Sequence, residues 1–281
     1  MSHLSHAQAR QRVQQLTSEM IVEVIKKAIC SGASGFTFTV HPTNFGTLNA
    51  LEKAALLGPD FGVYPVLPYA AGYVRTVNEK GMSGLLNDFI SRLSLQEKAR
   101  ILSKGAVSAF SSDLVGMMKA YIDMEIAGIR RLRGINLRSV LLHEVITDLA
   151  LSFQSKELLE EYMGHIRDEY GTVPGFVTRN FVRFVRFMEE NGISLGNVLI
   201  MTPLNKIGFQ MIPSRQACED CLSHLTQSNV FAMSVLAGGY LKLDEAIDYL
   251  RGLKNLSGIA VGVSSVQHAE QTFTRLKELT P

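Results

Sequence analysis

The strongest constraint on this chain is an alternation. From residue 35 to the end, short β-rich runs recur with amphipathic helical patterns between them. The runs are "GFTFTVH" (35–41), "FGVYPVLPY" (61–69), "GAVSAFSS" (105–112), "SVLLHEV" (139–145), "PGFVTRN" (174–180), "NVLIMTP" (197–203), "VFAMSVLAG" (230–238) and "GIAVGVS" (258–264). Between them, "DLVGMMKAYIDMEIAGIRRL" keeps an apolar stripe through five turns, and "SLQEKARIL" opens with Ser94 and Glu97 in capping-box spacing. Strands that alternate with helices pair in parallel, and eight β-then-α units suit a closed (β/α)8 barrel better than an open doubly wound sheet. The expectation is an α/β protein: a single TIM barrel over residues 1–281, with residues 1–34 an extra N-terminal helix before strand one.

Composition narrows the function. With 46% hydrophobic and 19% charged residues the chain can bury a core, and a net charge of +2 gives no field to attract nucleic acid or an anionic membrane. No eighteen apolar residues run together, and "MSHLSHAQARQRVQQL" has no signal-peptide pattern, so the expected location is cytoplasmic. Three cysteines are too few for a disulfide framework. Cys218 and Cys221 form a C-x-x-C inside a helical pattern with no second ligand pair, which reads as structural.

Polar residues collect at the carboxyl ends of the runs, and a barrel brings those ends to one rim, where its sites are built. In strand one Thr37, Thr39 and His41 share a side, while Phe36, Phe38 and Val40 should face the helices. In strand four His143 and Glu144 point to opposite sides; the family resemblance given below, and not the alternation, makes His143 the inward member, with Glu144 facing helices or a turn. Two inward histidines suit acid/base work near neutral pH. The expected catalytic set is His143 and His41, with Tyr69, and with Lys206 as the nearest amine to strand six. Asn44 and Asn205 are placed to orient a carbonyl or hydroxyl. A metal held by His41, Asp113 and His143 is a weaker alternative, and no metal is expected. "NKIGFQMIPS" (205–214) is long enough to cover a ligand, or to fold back or meet a second subunit of a homo-oligomer.

Gly238 and Gly239 follow run seven, and Gly262 lies in run eight. Glycine lets backbone N–H groups approach an anion closely, and Ser264 and Ser265 open a final helix whose positive end favours one. The alternative is tight turns and a helix cap with no ligand.

From about residue 139 to 272 the order of these motifs resembles the aldo-keto reductases. "VLLH" is similar to that family's fourth strand ending in histidine, and "GFVTRNF" to its "GVSNF" fifth strand. "NVLIMTPLN" resembles "NQVEYNPL", "SVLAGGYL" the "SPLAGG" type, and "VGVSSVQHAEQ" the "PGASSPEQLEEN" segment that holds the adenosine phosphate end of NADP. The resemblance implies a barrel and a nicotinamide cofactor. It also implies chemistry resting on an aspartate and tyrosine near strand two, a lysine ending strand three, and the strand-four histidine. Here strand two ends "VLPYAAGYV" and strand three "SAFSSD", without that aspartate or lysine; Tyr69 or Tyr73 is the remaining phenol. The last quarter also resembles phosphosugar aldolases, though no lysine lies on strand six or seven.

The expectation from these departures is a barrel enzyme acting on a small anionic, phosphorylated metabolite by histidine acid/base chemistry, of lyase, aldolase or isomerase type. An NAD(P)-dependent reductase with a rearranged catalytic set and a non-catalytic binding barrel are the alternatives.

Overall fold

A computed structural model describes residues 18–40, 42–68, 114–225 and 229–278, the side chains of 18, 42–45, 114 and 117 excepted. The helices are α1 (Ser18–Cys30), α2 (Pro42–Lys53), α3 (Leu114–Arg130), α4 (Glu144–Ser152), α5 (Lys156–Tyr170), α6 (Phe181–Glu190), α7 (Arg215–His224), α8 (Leu243–Arg251) and α9 (Val266–Lys277). The strands are β1 (Gly35–Thr39), β2 (Gly62–Leu67), β3 (Asn136–Leu137), β4 (Ser139–Leu142), β5 (Val173–Val177), β6 (Leu199–Pro203), β7 (Asn229–Met233) and β8 (Leu256–Ile259).

All pairings are parallel, in the order β1-β2-β4-β5-β6-β7-β8, with β3 beside the start of β2. The sheet curls into the barrel type of α/β fold. Two features differ from the expected eight even staves. β4 pairs directly with β2, through Val66 with Leu141 and Leu67 with Leu142, and the run 105–112 lies outside the described residues. Among the described residues β1 and β8 do not pair, and the ring is completed there by α9 packing against α1.

The central strands β4, β5 and β6 bury both faces. Leu141, Val177, Leu199 and Met201 point inward and form a small core with Tyr64, Val66, Phe231 and Met233. Their neighbours Val63, Val140, Leu142, Phe176, Ile200 and Val230 point outward into a larger core shared with the helices. Phe38 and Val40 of the first strand region belong to that outer core, as the alternation of "GFTFTV" requires. Helix α6 shows why the shell forms: Phe181, Phe184, Val185 and Met188 recur at three- and four-residue spacing and are all buried, whereas Arg183, Arg186 and Glu189 face solvent. Helix α5 stops where Gly171 turns left-handed (φ 60°) and donates its N–H to Arg167 O.

Strands end sooner than the β-rich runs do. The run 139–145 is strand only to Leu142, because His143 turns out of the ladder to start α4; likewise 174–180 ends at Val177 and 230–238 at Met233.

Tyr162 of α5 links shell to sheet. It is fully buried, and its hydroxyl donates to Val140 O at 2.6 Å and lies 3.1 Å from Gly175 O. A Tyr162→Phe variant should lose about 1 kcal/mol, seen as a lower urea midpoint with an unchanged slope.

Candidate functional site

The carboxyl ends of β4 and β5 meet at a polar cluster built from α4 and the 178–180 turn. Glu144 and Asp148, one turn apart, share a face of α4. Glu144 accepts from Arg179 Nη2 at 2.6 Å and Nε at 3.2 Å, a two-pronged contact. Asp148 accepts from Thr178 Oγ1 at 2.6 Å, and Thr178 Oγ1 in turn accepts from Asn180 N at 3.0 Å. Burial pushes the Asp148 carboxyl up, opposed by its hydrogen bonds with Thr178, Arg179 N–H and Asn180, and Glu144 adds a smaller push upward. At the other end of α4, Arg183 donates to Leu151 O at 2.9 Å. Two carboxylates and two arginines thus fasten α4 across the top of β5.

His143 is the N-cap of α4: its own N–H donates to Leu67 O at 2.6 Å, and its Nδ1 accepts from Val145 N at 3.2 Å. Burial lowers its pKa, Glu144 raises it, and Arg179 lowers it further. An imidazole that accepts at Nδ1 carries its proton on Nε2 and is neutral, so the cap and the lowered pKa agree.

The other expected residues are distributed as follows. His41, Tyr69 and Asp113 lie outside the described residues; Asn44 falls in α2, its side chain outside them. The described residues hold no cluster of three metal-type ligands. Lys206 is exposed beside Glu245, with Nζ 3.6 Å from Oε1, and does not sit on a strand. Asn205 is fully buried and its amide is used locally: Oδ1 accepts from Phe209 N at 2.7 Å and Nδ2 donates to Phe209 O at 2.8 Å. Those bonds tie the 205–214 loop to itself through the buried amide. Gly238 and Gly239 adopt φ of 69° and 95° in a tight turn, where Gly239 N donates to Leu236 O at 2.8 Å. Gly262 is exposed with open space where a side chain would project, and Ser264 beside it is exposed. Ser265 Oγ accepts from His268 N at 3.1 Å and caps α9. Burial pushes the Cys218 and Cys221 thiols up to about 11 and about 12, so neither is a ready nucleophile.

Glu144 and Asp148 were not singled out by sequence reasoning. Their signal was an acidic pair at four-residue spacing directly after a strand, opposite an arginine at the next strand end.

No protein-family model matches the chain, and no curated protein matches it in sequence. Solved structures do match its fold. PA4992 of Pseudomonas aeruginosa, a provisionally assigned aldo-keto reductase, superposes with a TM-score of 0.57 at 10% identity, covering 95% of this chain and 86% of that one. The holo form of the aldo-keto reductase AKR11C1 from Bacillus halodurans gives 0.56 at 11% identity, covering 93% and 83%. The chain therefore has the aldo-keto reductase type of barrel. These neighbours overturn the expectation of a lyase, aldolase or isomerase acting on a phosphorylated metabolite. No described helix is long and apolar enough to cross a membrane.

The cap has a pH signature. Because the folded pKa of His143 is below its ordinary 6.5, the unfolded chain takes up the proton first. Its contribution is complete above pH 6.5 and is lost as pH falls through the folded value. His143→Asn keeps a capping acceptor without a titrating ring, so urea unfolding from pH 7 to 5 should show a shallower loss of stability than in the parent.

Proposed function

We propose that this chain is an NAD(P)-dependent oxidoreductase of the aldo-keto reductase type, with a catalytic set arranged differently from that family's. The observation that carries the reading is the likeness of fold to such reductases over more than nine-tenths of the chain. The last strand region supports it. Gly262 has no neighbour within 4 Å of the place a Cβ would take, and the amino end of α9 beside it is exposed at Ser264, Ser265 and Val266. That combination of an open glycine and a solvent-exposed helix start fits the phosphate end of a dinucleotide. The nicotinamide, when bound, supplies the hydride.

The chain's own residues supply position. Neutral His143 holds its proton on Nε2 and can donate a hydrogen bond to a carbonyl oxygen, orienting and polarising it rather than protonating it. The Glu144–Arg179 and Asp148–Thr178 contacts hold the α4 start, and with it the imidazole, against the end of β5. Three unpaired thiols suit a reducing, cytoplasmic setting.

The test is a fluorescence titration with NADPH and NADH. Saturable binding is expected, weakened about tenfold (1.4 kcal/mol) in Gly262→Val, whose side chain enters open space and leaves the fold intact. Absence of binding by either nucleotide at ~1 mM would reject the proposal.

A further inference from the structure

The unpaired seam between β1 and β8 holds a cavity of about 640 Å3. Ile25 and Ile29 of α1 and Phe273 and Leu276 of α9 form its outer wall. Tyr64 and Phe231, with ring centroids 5.6 Å apart, form its inner one. The volume is in the range of ligand sites, and most of the lining is apolar.

The side walls are different, because they are strand edges. Gly62 N donates to Ser34 O at 2.8 Å and Val40 N to Val66 O at 3.3 Å, so the even-numbered residues of the first strand bond to β2. Gly35 and Thr37 therefore turn their N–H and C=O groups into the seam. On the other side Ala260 N donates to Ala232 O at 2.8 Å, which turns Ile259 and Val261 into the seam. Among the described residues these four have no main-chain partner there. An oily ligand would strip water from two rows of peptide groups and replace none of their bonds. An extended peptide satisfies both rows, as when a strand is added to a sheet edge.

Charge gives the peptide a direction. Among the described lining residues the charged ones are Arg251 and Lys277, both exposed cations; Asp248, outside the lining, lies 3.4 Å from Arg251 Nη1 in a solvent-exposed pair that a second carboxylate can join or displace. Arg251 and Lys277 are the last residues of α8 and α9, helices that run against the strands and so end where β1 and β8 begin. We propose that the seam binds the C-terminal tail of another polypeptide. The tail lies extended and antiparallel to β1 and β8, with its terminal carboxylate at the Arg251–Lys277 end. About four residues, ~13 Å of strand, match this length of edge. Small apolar side chains suit walls of Ile25, Ile29 and Phe273. The site is on the barrel's flank, away from the α4 cluster; its lining reaches Gly262 at the far end from Arg251 and Lys277, and the peptide reading does not depend on the oxidoreductase one.

The probe is a fluorescein-labelled Thr-Val-Ala-Val peptide with a free carboxylate, titrated into the full chain by anisotropy. Two comparators are its C-terminal amide and the acid with alternate peptide nitrogens methylated. The acid should bind saturably, the amide at least about fivefold more weakly, and the methylated peptide not at all. Arg251→Glu/Lys277→Glu, two exposed positions, should bring the acid down to the amide's affinity and leave the amide unchanged. Hydrogen exchange at the Thr37 and Ile259 amides should be fast in the free protein and slow with the acid bound. The proposal is overturned if the acid fails to bind at ~1 mM or if the methylated peptide binds as well. It is also overturned if the charge reversal leaves the acid unaffected, or if those amides are already protected without peptide because the protein closes the seam itself.

Discussion

A parallel strand wrapped inside helices must be apolar on both faces, and everything else in this molecule follows from that requirement. Val140 and Leu142 serve the shell while Leu141 between them serves the interior, and Ile200 and Met201 divide in the same way. Strands filled by such residues have no room for a charged group along their length. Ionisable groups are displaced to the ends, where the chain leaves the ladder. The α4 cluster at the carboxyl ends of β4 and β5 is the clearest product of that displacement.

The cluster also shows how little separates a structural part from a chemical one. His143 caps a helix, Glu144 holds an arginine, and Asp148 holds a threonine. Each contact has a mechanical purpose, and each leaves a polar group at the rim in a fixed pose. Burial lowers the imidazole's pKa and raises that of the Asp148 carboxyl, each opposed in part by the contacts around it. By contrast Asn205, equally polar and fully buried, is spent on its own loop.

The fold was legible because period is a local property. The alternation in "GFTFTV" placed Phe38 and Val40 against the helices, and the stripe in 113–132 marked α3. The stopping points were less visible. "SVLLHEV" is β-rich throughout, and only the cap made by His143 ends the strand at Leu142. Pairing order was hidden as well, because β2 beside β4 joins residues more than seventy positions apart in the chain. The site was half legible: His143 stood out as a histidine at a strand end, but its neutrality depends on burial and on a hydrogen bond from Val145. Glu144 was expected to face helices or a turn because strict strand alternation was carried past Leu142, where the strand ends. The Ser265 cap was one of two readings the sequence allowed, and the bonds from Asn205 to Phe209 leave no periodic trace in the sequence.

Helix α1 packs against α9, and Lys27 of the first meets Glu270 of the last at 3.2 Å. The earliest described helix thus finds its neighbour only after nearly the whole chain exists. During synthesis the apolar face of α1, with Val22 and Ile25, has no last helix to cover it while the chain emerges from the ribosome. Assembly of this barrel is therefore largely post-translational at its seam, and a chain truncated before Val266 would leave that first helix without its mate.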